Sequence, residues 1–269
     1  MRASAPEAWR ITRSHTEISE QGAPASGAPS SYRRSVDSDA VSEPLIPGEG
    51  WGVLHLFCKV GPTADADAVM AAVKSAQAAD FQVVCFSVFG HKADLGLMAL
   101  GPDWVILRLL QAGIEGAGLE VVHSYLSLTE VSEYAKGMPE EVLRTRLYPN
   151  LPPAGKRAFC FYPMSKRRAE GHNWFALPFD ERKELMLGHG RVGRTFAGRV
   201  VQLITGSTGL DDYEWGVSLF ATAPDDLKDV VYTMRFDEAS AHYAEFGPFF
   251  TGIVGQIEEV LAQVGLASG

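Results

Sequence analysis

The order of the predicted strands and helices beyond residue 50 constrains the fold most strongly, because the same order occurs twice. In the first run, strands are predicted at 51–60, 81–88, 92–100 and 119–126, and helices at 65–79 and 102–117. In the second run, strands are predicted at 156–162, 199–204, 213–221 and 246–254, and helices at 180–196 and 224–236.

Each run has the β-α-β-β-α-β order and the approximate size of a ferredoxin-like module. Helices on one face of each antiparallel sheet would leave the other faces free to pack together. We therefore predict an α+β fold in which tandem ferredoxin-like repeats form a two-sheet α+β barrel with a cavity between the sheets. The predicted halves are 50–150 and 151–269, and the second half carries the candidate site.

The first 49 residues differ from the rest of the chain in composition. They are rich in Ser, Ala, Pro and Gly, as in the stretch 21–29. Such a segment buries too little apolar surface to offset the entropy lost on ordering. We predict a disordered leader at 1–49.

Charge and cysteine usage exclude several classes of protein. The net charge of −9 argues against a nucleic-acid-binding protein, which normally has a basic surface. The three cysteines, Cys58, Cys85 and Cys160, lie singly in apolar runs, which favours buried thiols in a reducing cytoplasm. No apolar run is long enough to predict a membrane span. The partner is predicted to be a small molecule.

His189 is the candidate metal ligand. In the predicted helix it shares a stripe with Leu185 and Val192, so it is expected to point inward. A histidine there can be an ordinary core residue. The alternative comes from the glycines at 188, 190 and 193, which cost about 1 kcal/mol each in a helix relative to alanine. A flat macrocycle against this helix, with the imidazole as axial ligand, would explain them.

A second candidate segment ends the strand at 156–162. Tyr162 is followed by a turn with three successive cations, Lys166, Arg167 and Arg168. This segment is either a solvated basic turn or a site where cations bind carboxylates beside a redox-active phenol.

Three further polar residues are candidates on less specific grounds. Gln202 lies among apolar neighbours, and a buried amide needs a partner or a cavity. Arg235 and Ser240 lie at a predicted helix end, where their donors could face an anionic ligand. Arg235 could equally pair with Asp237 or Glu238.

Four long motifs together resemble the chlorite-dismutase-like superfamily. They are Y-P-M-S-K-R-R from Tyr162, H-G-x-x-G-R from His189, I-T-G-S-x-G-L-D-D-x-E-W-G-V-x-L-F from Ile204 and M-R-F-D-E-A-S-A-x-Y from Met234. The resemblance extends from residue 51 to the C terminus and is most specific between 160 and 252. Within the superfamily, the chain resembles the coproheme decarboxylases of the actinobacterial kind.

The resemblance implies an enzyme of haem biosynthesis. Such an enzyme uses hydrogen peroxide to decarboxylate two propionates of iron coproporphyrin III (coproheme) to vinyl groups, which gives haem b. By the same resemblance His189 is the iron ligand, and Tyr162 and Lys166 are catalytic. The residues expected to line the porphyrin site, besides Tyr162 and Lys166, are Pro163, Met164, Ser165, Gln202, Arg235 and Ser240. The resemblance also implies a homopentamer.

Three alternatives stay open at this point. A haem carrier or sensor would use the same pocket without needing Tyr162. A chlorite- or peroxide-degrading haem enzyme is disfavoured because chlorite dismutases carry an arginine where this chain has Gln202. In the third alternative, His189 is only a core residue and no porphyrin binds.

Overall fold

The computed structural model describes residues 43–135 and 137–266. Residues 1–42 of the predicted leader therefore lie outside the described residues, and the disorder of the leader stays a prediction. Residues 43–49 contain neither helix nor strand. The Leu45 backbone N–H donates to the Asp103 carboxylate at 3.0 Å, and the Leu45 carbonyl accepts from the Trp104 N–H at 3.0 Å.

Strands and helices follow the predicted order with small shifts at their ends. The first half contains β1 (Gly52–Val60), α1 (Ala66–Ala78), β2 (Gln82–Val88), β3 (Leu95–Gly101), α2 (Trp104–Gly116) and β4 (Leu119–Thr129). A connection that includes α3 (Glu140–Leu147) leads to the second half. The second half contains β5 (Ala158–Lys166), β6 (Arg168–Ala169), β7 (His172–Asn173), α4 (Phe179–Arg194), β8 (Val200–Gly206), β9 (Trp215–Ala221), α5 (Pro224–Met234), α6 (Glu238–Tyr243), β10 (Ala244–Phe246), β11 (Phe250–Gly255) and α7 (Ile257–Gln263).

The strands form a large antiparallel sheet, which confirms the α+β class. Among the described residues nine strands share this sheet, in the order β10-β5-β11-β2-β3-β1-β4-β8-β9, and β5 also pairs with β9. The prediction of two separate sheets differs from this arrangement, because the β2–β11 and β4–β8 pairs join the two halves by hydrogen bonds. Pairing across the halves satisfies backbone groups that would otherwise stay open at the sheet edges.

The two faces of the sheet bury different cores. Helices α1, α2 and α7 cover the first-half strands on one face through apolar side chains such as Val69, Leu110 and Val260. The opposite face carries an aromatic core, whose fully buried members are Phe57, Phe86, Tyr125, Phe159, Phe161 and Phe220. All three cysteines are buried and free. In the described ranges, none of the helices has the length and hydropathy needed for a membrane span.

The helices of the second half cover their strands less completely. Leu227 and Val230 of α5 are buried against β5 and β9. In contrast, none of the 16 residues of α4, all of them described, is buried. Ile204 of β8, a strand with neighbours on both sides, is 42% exposed. Among the described residues, the second half therefore leaves a part of the sheet uncovered on the side of its helices.

Candidate functional site

Tyr162 lies near the middle of β5 on the helix-covered face of the second half. It is only 8% exposed, and its ring stacks on Phe249 with a centroid distance of 4.5 Å and an interplanar angle of 25°. Phe246 contacts it edge-on at 5.6 Å. Burial raises the pKa of the phenol, and the nearby Arg235 opposes only a fraction of that rise. Tyr162 is therefore a neutral phenol that carries its O–H hydrogen at neutral pH.

Lys166 ends β5 and is also buried, at 7% exposure. Its ammonium donates to the Ala239 carbonyl at 3.2 Å and lies 4.2 Å from the centroid of the Trp174 ring. Burial lowers the pKa of Lys166 to about 8, while Asp237 and Glu214 favour its charged form. The ammonium thus has partners within the protein at the start of α6.

Among the predicted site residues, His189 makes the contact that is most typical of a metal ligand. Its Nδ1 lies 2.8 Å from the Asp237 carboxylate, which is 4% exposed. The same carboxylate accepts the Ser240 backbone N–H at 3.1 Å, so Asp237 also caps α6. A carboxylate accepts only, so Nδ1 carries a proton, and in the neutral imidazole Nε2 then presents a lone pair. Among the described residues, Nε2 has no hydrogen-bond partner.

The expectation that His189 points inward with an apolar face is met only in part. Its side chain is 25% exposed, and Leu185 and Val192 on the same stripe are only half-buried. Protein packing does not require the three neighbouring glycines either, because an added Cβ at 188, 190 or 193 would meet no described atom closer than 3.6 Å. Helical periodicity identified the apolar side of α4, but other protein atoms do not bury that side.

Gln202 is exposed, whereas the sequence predicted a buried amide. Alternation along β8 turns Val201 and Leu203 towards the aromatic core and turns Gln202 towards the opposite face, together with Ile204. Ile204 pairs with Val217, which pairs in turn with Tyr162 on the other side. Gln202 and Ile204 thus belong to the same uncovered part of the sheet, beside the strands that lead to Tyr162.

The remaining predicted site residues surround Tyr162 and His189. Arg235 is exposed, lies 5.1 Å from the Phe246 ring, and forms no ion pair with Asp237 or Glu238. The Ser240 hydroxyl lies 3.4 Å from His189 Nδ1. The other three residues follow Tyr162 along β5: the Pro163 carbonyl accepts from Gly247, Met164 packs beside Tyr162, and the Ser165 hydroxyl accepts from the Glu214 N–H.

Sequence reasoning missed several residues that position this site. Asp237 was considered only as a partner of Arg235, although an aspartate just before a helix is a capping signal. Glu214, 5% exposed, accepts the Lys166 backbone N–H at 2.8 Å and pairs with Arg168. Trp174 and Phe249 were not among the candidates, because no sequence pattern linked either ring to the side chain that it contacts, Lys166 or Tyr162.

Two cavities lie away from this site. One of about 250 Å³ opens beside β2 and the start of α7, and another of about 400 Å³ opens beside Phe89 and Val264. Neither is lined by His189, Tyr162 or Lys166. The candidate site is therefore an uncovered face between α4 and the sheet and not one of these cavities.

Known proteins resemble the chain over most of its length. A protein of Natronomonas pharaonis named for heme binding is 42% identical over 238 residues, which are 76% of this chain and 39% of that protein. This chain thus spans about two fifths of that relative's length. The coproheme decarboxylase of Staphylococcus carnosus is 40% identical over 233 residues, or 77% of this chain and 92% of that enzyme.

A solved structure and a family model agree with these relatives. The structure of a heme-binding protein from Thermus thermophilus superposes with a TM-score of 0.73 at 36% identity, covering 81% of this chain and 96% of that one. The family model described as chlorite dismutase matches residues 63–255, which include β5, α4 and every predicted site residue. The resemblance stated from the motifs is confirmed, and the chain belongs to the chlorite dismutase family.

Proposed function

We propose that this chain is a coproheme decarboxylase, which converts two propionates of iron coproporphyrin III to vinyl groups and releases haem b. The S. carnosus coproheme decarboxylase, at 40% identity over 92% of its length, supports this activity. The relatives named for heme binding support the class of bound molecule. The sequence-based assignment of substrate and cofactor is retained.

One observation carries the assignment of the site: His189 and Asp237 form a hydrogen-bonded pair beside a part of the sheet that no described helix covers. A histidine that binds iron commonly donates its second ring N–H to a carboxylate, which fixes the tautomer and strengthens the ligand. The half-buried side of α4 and exposed Ile204 supply apolar surface for a flat ring. The residues present therefore fit an iron porphyrin, whose iron His189 would hold.

The chemistry of each propionate is a two-electron oxidation. The iron of bound coproheme, together with hydrogen peroxide, supplies the oxidising equivalents. Tyr162 gives up its O–H hydrogen, and the resulting phenoxyl takes a hydrogen atom from the β-carbon of the propionate. Loss of one more electron and of carbon dioxide leaves the vinyl group, and one peroxide is reduced to two waters for each propionate. Burial favours this role, because it keeps the Tyr162 phenol protonated.

The polar residues around Tyr162 are assigned to binding. Arg235 is exposed near Tyr162 and would hold a carboxylate beside the phenol. Lys166 is assigned to propionate binding and turnover, and its lowered pKa makes this role pH-dependent. The residues assigned to lining the porphyrin site are Pro163, Met164, Ser165, Gln202 and Ser240.

The finer features of fold and assembly are also proposals. Strand order β4-β1-β3-β2 in the first half and β8-β9-β5-β11 in the second supports tandem ferredoxin-like repeats, and the β5–β9 pair supports closure into a barrel. Buried free thiols favour a reducing cytoplasm. The homopentamer is proposed from the family resemblance alone. The halves 50–150 and 151–269 are retained as domain boundaries.

The second candidate function is haem binding without turnover, which the names of two relatives favour. Tyr162→Phe separates the two functions, because it keeps the ring but removes the O–H hydrogen. We expect the variant to bind iron coproporphyrin III with unchanged affinity and to form no haem b on peroxide addition, as measured by porphyrin mass. Tyr232→Phe, on an exposed tyrosine of α5, serves as the matched control. Full conversion by Tyr162→Phe would rule out the proposed mechanism.

A further inference from the structure

Nothing but ring packing orients the phenol of Tyr162 among the described residues. Its oxygen forms no hydrogen bond with residues 43–135 or 137–266, whereas the ring is stacked on Phe249 and contacted edge-on by Phe246. We propose that Phe249 is a positioning residue: its ring fixes the orientation of Tyr162 from which the hydrogen is transferred. This inference rests on the proposed function, in which Tyr162 is the catalytic phenol.

The segment that carries Phe249 is fixed at its backbone in two places. The Phe249 carbonyl accepts a hydrogen bond from the Lys92 ammonium at 2.7 Å, and Lys92 lies between β2 and β3 in the first half. The Gly247 N–H donates to the Pro163 carbonyl at 2.8 Å, next to Tyr162. A Cβ at Gly247 would lie 2.7 Å from both Pro163 Cγ and Tyr213 Cζ, so the connection between β10 and β11 approaches β5 closely at Pro163, the residue after Tyr162.

The two aromatic contacts are not equivalent. Phe246 belongs to β10 and is held by pairing with Met164 of β5, so it moves with the strand that carries Tyr162. Phe249 lies in the connection before β11 and covers the face of the ring. Removing the Phe249 ring would free rotation of the phenol without breaking a strand pair. Because hydrogen transfer requires the reacting atoms in contact, a misplaced phenol lowers the rate of the chemical step.

The first experiment tests the positioning without porphyrin. Protein labelled with 3-fluorotyrosine is measured by fluorine NMR, and Tyr162→Phe identifies the Tyr162 signal by its loss. The stacked Phe249 ring shields the face of Tyr162, so Phe249→Leu is expected to move this signal. Phe250→Leu is the matched control, because Phe250 is the next residue and packs into the aromatic core on the opposite face. An unmoved signal in Phe249→Leu would overturn the proposal.

The second experiment tests the consequence for turnover. We expect Phe249→Leu to lower kcat by about tenfold or more with little change in KM, and Phe249→Trp, which keeps an aromatic face, to restore most of the rate. Lys92→Met should give a smaller loss in the same direction, and Lys74→Met, at another exposed lysine, should give none. Thermal melting verifies that each variant folds.

The outcomes separate this inference from the proposed function. A moved NMR signal with kcat within about twofold of the unaltered chain would overturn positioning as a catalytic requirement. Full decarboxylation by Tyr162→Phe would instead refute the role of Tyr162. The NMR shift would still report whether Phe249 holds the ring.

Discussion

Helix α2 of the first half and helix α4 of the second half pack differently against the sheet. In α2, Leu107, Leu110 and Ile114 are buried against the first-half strands. In α4 no residue is buried, and Ile204 of the sheet is partly exposed on the same side. One half thus uses its helix to complete a core, while the other leaves apolar surface open beside a histidine and its carboxylate partner.

An apolar helix stripe can therefore contribute either to the stability of the free protein or to the binding of a ligand. A stripe that other side chains bury contributes to folding in the free protein. A stripe that stays half-buried contributes little until a ligand covers it, after which the ligand stabilises the folded chain by mass action. Substitutions in the two helices and around the candidate site test this division.

The largest expected effect is on the stability of the porphyrin-free chain. Leu110→Ala in α2 should lower the free energy of unfolding by about 3 kcal/mol, because it opens a cavity in a closed core. Leu185→Ala in α4 should cost less than about 1 kcal/mol, because its site is only half-buried. Urea unfolding measures both values. Equal losses would contradict the comparison and show that α4 is a core helix.

The second expected effect is on porphyrin binding. His189→Ala should remove the axial ligand and change the ferric absorption spectrum, with little change in the melting temperature of the free protein. Asp237→Asn keeps a hydrogen-bond acceptor but loses its charge, so affinity for iron coproporphyrin III should fall by about tenfold or more. His242→Ala, on the exposed side of α6, is the control. An unchanged spectrum in His189→Ala would assign the iron to another ligand.

The third and smallest expected effect is a shift in pH dependence. Burial lowers the pKa of Lys166 to about 8, so its ammonium is charged below that pH and is lost as the pH rises through it. If the charge holds a propionate, turnover should fall above pH 8. At about pH 9, roughly a tenth of the turnover that depends on Lys166 should remain. Lys166→Arg stays charged and should extend activity to higher pH. The same alkaline limb in both proteins would assign that limb to another group.

The sequence predicted the α+β class and most strands because periodicity is a local property. The joining of both halves in one sheet was not predictable in the same way, since β2–β11 and β4–β8 pair residues far apart in the chain. The site follows the same division. Motifs identified His189 and Tyr162, and the roles assigned to these residues stay predictions. The contact of His189 with Asp237 could not be read from a motif, because the two residues are 48 positions apart.

Gln202 shows where local reasoning fails. Its apolar neighbours predicted burial, but alternation placed it on the face that α4 does not cover. Whether a polar residue in a strand is buried depends on what covers its face, and a single segment carries no information about that. The same limit applies to α4. Its apolar stripe can be read from the sequence, but the sequence does not reveal that the sheet leaves this stripe unburied.

The burial of the three cysteines has a consequence for the chain's resistance to hydrogen peroxide, the oxidant of the proposed reaction. The thiolate is the form that peroxide attacks. Burial raises the pKa of Cys58 and Cys85 to about 12 and that of Cys160 to about 11. At neutral pH, a pKa of about 11 leaves roughly one thiolate in ten thousand. If the chain uses peroxide at every turnover, its thiols would thus be protected from oxidation. This protection would extend to Cys160, which lies only two residues from Tyr162 in the sequence.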